Sequence, residues 1–166
     1  MAARYYDFYQ HYEPFVRAFI ARRVPVDSVN DLVAEVFVVA WRRREVMPDS
    51  ALPWLYRVAR NVVGDSYRAA DRLRALEVRL ASVPAEAAMD PADVAAERAQ
   101  LFAALSSLSS QDRDILFLAA WEGLDAEGIG LVLRISAGSA AVRLHRARKR
   151  LDKSIAVVDD ASERRL

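Results

Sequence analysis

Between Ser136 and Lys153 the chain carries six Arg or Lys residues against a single Asp. At helical spacing Ala140, Leu144, Ala147 and Leu151 line one face of this segment. Ser139, Val142, His145, Arg146 and Lys149 fall on the opposite face. Guanidinium groups on an outward helix face suit guanine edges in a major groove, and Val142 adds an apolar contact among them. Arg143, Arg148 and Arg150 lie to the sides, within reach of phosphates. The competing reading is a solvated basic helix stabilised by its own macrodipole. A short segment capped by Asp125 and a turn at Arg134-Ile135-Ser136 precede this helix. That outline of short helix, turn and basic helix favours the groove reading.

A second constellation runs from Trp54 to Arg68. Trp54, Leu55, Val58, Ala59 and Val62 gather on one side of a helical wheel. Arg57, Arg60, Asn61, Gly64, Arg68 and the rings of Tyr56 and Tyr67 gather on the other. Bases, an amide and aromatic rings on one face suit single-stranded or locally opened nucleic acid, where rings stack on unpaired bases. An ordinary solvated charged face is the alternative. A third segment, from Asp31 to Arg44, is apolar around most of its girth. Leu32, Val36, Phe37, Ala40 and Trp41 cover one broad face, with Asp31, Glu35 and Arg42 as a narrow polar stripe flanked by Val38 and Val39. Such a helix is either deeply buried or packs on two things.

Other chemistries find no support. There are no cysteines, which excludes disulfides, Cys-based zinc sites and thiol nucleophiles. His11 and His145 stand on different segments without an acidic partner at metal spacing. No phosphate-binding loop, nucleophile elbow or paired-carboxylate motif is visible. No cofactor and no enzymatic activity are therefore expected. Net charge is only +1 over 166 residues, so nucleic-acid affinity must come from segregated charge. The residues after Met1 do not read as a signal peptide, and no apolar run is long enough for a transmembrane helix. A soluble, cytoplasmic protein fits these features.

The elements that must position these residues read as helices throughout. Tyr5, Phe8, Tyr9, Tyr12, Phe15, Val16, Phe19 and Ile20 recur at spacings of three and four, the core face of a first helix that Pro14 kinks or restarts. A second helix is expected to start near Ser28 or Asn30, both good N-caps. After a loop over residues 45–52, Pro53 suits the first position of a third. Residues 81–95, with two prolines and several acids, read as a linker. Beyond it, Ser109 with Asp112 makes a capping-box-like start, Gly123 ends that helix, and Asp125 and Ser136 cap the next two. Gly130 is expected to weaken its short helix by roughly 1 kcal/mol relative to Ala. The fold class is all-α: two small helical domains joined by a linker, the C-terminal one a helix-turn-helix. Their expected limits are 1–80 and 96–155, followed by a tail over 156–166.

In this order the three constellations resemble the bacterial RNA polymerase sigma factors, specifically the compact extracytoplasmic-function (ECF) group. The stretch Asp31–Arg42 looks like the helix that docks on the polymerase clamp. Leu52–Arg68 looks like the helix that opens and reads the −10 promoter element, and Ser136–Leu151 like the −35 recognition helix. The resemblance implies a protein that binds core RNA polymerase and promoter DNA and directs transcription initiation, with an anti-sigma factor as a further partner. It implies polymerase contacts at Asp31, Glu35, Val38, Val39 and Arg42. It implies −10 contacts at Trp54, Tyr56, Arg57, Arg60, Asn61 and Arg68, and a pocket for a flipped base in the loop 46–52. For the −35 element it implies Ser139, Val142, Arg143, His145, Arg146 and Lys149. The chain departs from the family pattern at Ala34 (usually Gln), Gly128 (usually Glu), Ala141 (commonly basic) and Val142 (commonly small and polar). Those departures motivate an alternative, a sigma-like decoy that binds an anti-sigma factor without supporting transcription.

Overall fold

The computed structural model describes residues 2–77 and 92–163, with side-chain surroundings given for 5–68 and 100–157. Most of the expected linker lies outside the described residues. Seven α-helices occur among the described residues: α1 (Ala2–Ala21), α2 (Val26–Arg42), α3 (Ala51–Glu77), α4 (Ala92–Ser107), α5 (Ser110–Ala120), α6 (Ala126–Leu133) and α7 (Ala137–Glu163). The chain divides into two compact units, the first Met1–Val83 with Leu131–Leu133 and the second Pro84–Gly130 with Arg134–Leu166.

In the first unit α1, α2 and α3 all pack on one another. The three- and four-residue spacing along α1 buries Val16, Phe19 and Ile20 completely. Pro14 lies inside α1, which runs through it unbroken. From α2 come Val29, Leu32, Val33, Val36, Phe37 and Ala40. Where Tyr9 and Phe37 meet, their rings stand edge to face at 4.6 Å, a favoured aromatic geometry. Tyr5 donates its hydroxyl to the Phe37 carbonyl and sets its ring edge-on to Trp41 at 4.6 Å. Burial pushes the Tyr5 phenol above its ordinary pKa, so it remains a neutral donor in this contact.

Two starts differ from expectation. Helix α2 begins at Val26, directly after Pro25 and without a side-chain cap. Ser28 and Asn30 both lie inside the helix, and the Asn30 side-chain oxygen accepts from Arg17 on α1 at 2.8 Å. The proline pre-sets an extended entry, and Asp27 in the first turn complements the helix dipole. Helix α3 begins at Ala51, so Pro53 stands in its first turn, where no backbone N–H is required. The connection from α2 is a 3₁₀ turn over Arg44–Val46 followed by residues 47–50.

In the second unit α4 and α5 pack on α7. Ala104 and Leu108, Ile115 and Leu118, and Ala140, Leu144 and Ala147 are buried. The two alanines on α7 carry little volume, which suits close approach of its neighbours. Ser109 caps α5, accepting from the Asp112 N–H at 3.1 Å. Arg113 donates to the Leu105, Ser106 and Leu108 carbonyls, satisfying acceptors that the end of α4 leaves open. Ser107 and Ser154 join α4 to α7 at 3.0 Å.

Candidate nucleic-acid interface

The turn between α6 and α7 is built from three local devices. Asp125 accepts from the Gly128 N–H at 2.8 Å and opens α6. Arg134 closes it in the left-handed region, at φ 57°. Ser136 opens α7, its hydroxyl oxygen accepting from the Ser139 N–H at 3.1 Å. The Ile135 N–H returns to the Gly130 carbonyl at 3.0 Å. This closure brings the Ile135 carbonyl oxygen so near that a Cβ on residue 130 would stand 2.8 Å from it. Gly130 is therefore a requirement of the turn, and the expected gain from alanine is overturned. Helix propensity acts along one helix, whereas the clash comes from backbone beyond its end. Gly128, whose usual counterpart would complete a capping box, does not cost α6 its cap, since Asp125 still accepts its bond.

Presented by this turn, α7 shows two faces. Ala140, Leu144 and Ala147 point inward and are buried. Ser139, Val142, Arg143, His145, Arg146 and Lys149 are all exposed. The six expected residues thus share the outer side of one rigid element. Arg148 is exposed beside them. Arg150 is not free for phosphate: one of its terminal nitrogens lies 2.8 Å from both carboxylate oxygens of Asp112, tying α7 to α5. Asp112 thereby serves twice, through its N–H at the α5 cap and through its side chain in this bridge.

On α3 the expected −10 set separates. Arg60, Asn61 and Arg68 are exposed and Arg57 is partly exposed. They follow one helical stripe, together with Gly64. Arg68 pairs with Asp65 one turn back. An exposed pair of this kind contributes little to stability and separates readily. Trp54 and Tyr56, by contrast, are only 5 % and 2 % exposed, so neither side chain is presented at the surface of this unit. Tyr56 stacks on Phe19 of α1, ring centroids 5.0 Å apart, and the Arg23 guanidinium lies over Phe19 at 3.6 Å. The reason is the number of neighbours. Both α1 and α2 cover α3, so its inward arc extends to Tyr56 and Val63, beyond the stripe of Leu55, Val58 and Val62. Tyr67 keeps an exposed ring but donates its hydroxyl to the Arg23 carbonyl.

The outer side of α2 carries Asp31, Ala34, Glu35, Val38 and Arg42, all exposed, with Val39 partly so. Val38 is 47 % exposed. It lines a groove of about 350 Å³ between α1 and α2, together with Tyr5, Tyr9, Arg17, Asn30, Val33, Ala34, Phe37 and Trp41. This apolar, side-opening surface was not legible in the sequence as a groove. The only signal was the second apolar face on α2. Among the described residues no cluster could hold a metal ion, and no helix is long and apolar enough to cross a membrane.

Two helical units, one with an exposed Arg/Asn stripe and one with a basic helix-turn-helix, define a DNA-binding protein of two modules. Sequence comparison agrees module by module: sigma-70 region 2 matches residues 8–73 and sigma-70 region 4 matches residues 98–151. Over 149 residues the chain is 32% identical to RNA polymerase sigma factor CarQ of Myxococcus xanthus, covering 87% of this chain and 85% of that one. It is 32% identical over 125 residues to the ECF RNA polymerase sigma factor SigL of Mycobacterium tuberculosis, covering 72% and 70%. The fold is also that of CnrH in complex with the cytosolic domain of CnrY, at TM-score 0.63 and 21% identity over 96% of this chain and 90% of that one. The sigma factor RpoE of Bartonella quintana, solved with the anti-sigma factor NepR, superposes with TM-score 0.58 at 24% identity over 91% and 98%. The chain belongs to the ECF group of RNA polymerase sigma factors.

Proposed function

We propose that this sigma factor binds core RNA polymerase through the outer side of α2 and holds a promoter at two points. The Arg57, Arg60, Asn61 and Arg68 stripe of α3 takes the −10 element, and the outer face of α7 takes the −35 element. The observation that carries this reading is the clean partition of α7. Every expected contact residue is exposed, and the buried residues opposite hold the helix against its own unit. Groove binding needs a helix whose reading side chains are outward and whose backbone is held by packing behind it.

At the −10 element the bases must leave their stack, which costs a few kcal/mol. An exposed amide at Asn61 with arginines on either side offers hydrogen bonds and phosphate charge that offset part of that cost. The half-exposed ring of Tyr67 supplies a stacking surface at the end of the same helix. The connection over residues 46–50 is the place for an extruded base. An anti-sigma factor is the natural further partner, because both solved relatives named above were captured in complexes and RpoE with an anti-sigma factor. The intact turn geometry gives no support to a decoy role.

Run-off transcription with purified core polymerase and genomic promoter fragments tests the proposal. Promoter-specific transcripts that depend on this protein are expected. Tight binding to core polymerase with no transcript from any fragment would refute it.

A further inference from the structure

The exposed side of α7 is divided into two chemistries. Its leading part carries Ala137, Gly138, Ser139, Ala141 and Val142, all exposed and none charged. Charge begins at Arg143 and continues through Arg146 and Lys149. Hydrogen-bonded reading of guanine or adenine needs long bidentate side chains such as Arg, Lys, Asn or Gln, and none stands in the leading part. Ser139 is the one polar side chain there, and its oxygen accepts from the Ser136 hydroxyl at 2.9 Å, which holds it in the cap.

Val142 stands at the boundary, 50 % exposed. In a helix a valine side chain has essentially one rotamer, so little freedom is lost when it enters a contact. Gly138 lies one turn before it. A Cβ there would meet nothing within 4 Å, so the free protein has no steric need for glycine at that position. The missing side chain lets this end of the helix approach a surface closely and brings Val142 deeper into a groove. The one major-groove feature that an apolar side chain can single out is the 5-methyl group of thymine.

Resting on the assignment of α7 to the −35 element, we infer that Val142 is a specificity-determining residue that selects a thymine there by contact with its 5-methyl group.

The test uses holoenzyme assembled from this protein and core polymerase. A duplex library randomised in the −35 region, above a fixed −10 element, is selected for binding. Each thymine in the enriched sequence is then replaced singly by deoxyuridine, which removes only the methyl group. One position is expected at which binding weakens about fourfold, the worth of one buried methyl group. Holoenzyme carrying Val142→Ala is expected to bind the thymine duplex with a similar loss and to show no further loss on deoxyuridine. Equal binding of thymine and deoxyuridine at every position overturns the inference while leaving the −35 assignment standing. So does a Val142→Ala holoenzyme that still discriminates between them. Selection of no upstream sequence at all would instead refute the −35 assignment.

Discussion

At Tyr56 the phenol ring lies against Phe19 and out of solvent, so truncation there acts on stability. Tyr56→Ala removes a buried aromatic from the α1–α3 seam. It is expected to lower unfolding free energy by about 3–5 kcal/mol, measured by denaturant titration. Arg146 is the converse case, exposed and held only by the helix that carries it. Arg146→Ala should leave that titration unchanged and cost about 1–3 kcal/mol in binding a −35 duplex, with relaxed preference at the base pair it faces. An unaltered promoter footprint would remove Arg146 from the reading set. The contrast between the two residues follows from burial, since Tyr56 is packed inside its unit and Arg146 is exposed.

At the scale of elements, α6 depends on residues outside itself. Gly130→Ala should raise intrinsic helicity, yet the Ile135 carbonyl stands where the new methyl must go. The net effect is expected to be destabilising by about 1–3 kcal/mol, the usual cost of overpacking. A higher melting temperature in the variant would show that the turn can open to accept the methyl group. Helix α2 makes the opposite point. Its inner face is committed to the core, while Val38 is half exposed beside an apolar groove. Val38→Asp is expected to keep the helical circular dichroism of the wild type and to weaken binding to core polymerase at least tenfold. Unchanged affinity would mean that this side of α2 is idle. Loss of helicity would mean that Val38 is structural.

Across the whole molecule, charge is arranged by region and barely by amount. The net charge of +1 gives no general attraction to DNA, so attraction must come from local clusters such as the one on α7. Phosphate contacts made there release counterions, and their number sets how steeply binding falls with salt. Arg148→Ala, at an exposed position beside the reading face, is expected to weaken −35 binding evenly across sequences. It should also reduce the slope of log affinity against log salt by about one. Arg150→Ala is expected to leave that slope unchanged, because Arg150 is already paired with Asp112. A smaller slope in Arg150→Ala would show that this bridge opens on DNA. Each of the two units packs its own core, so a change in one of the proposed reading helices is expected to leave the fold of the other intact.

Periodicity and capping chemistry were enough to read the helices, the caps at Ser109, Asp125 and Ser136, and the inward and outward faces of α7. These features depend on residues within about one turn of each other, so the sequence contains them directly. The start of α2 was misread because Pro25 opens the helix without a side-chain cap, so Ser28 and Asn30 lie inside it. Tyr56 was placed on the reading face because a wheel drawn for one helix cannot show that two neighbours cover it, whereas Trp54, on the inward side of the same wheel, entered the −10 set only through the family resemblance. Gly130 looked like a weakness because the carbonyl that requires it belongs to the turn that follows. At Tyr56 and Gly130 the folded structure decided the outcome for one physical reason: burial and steric contact depend on which chain segments meet in space, and local spacing does not specify that.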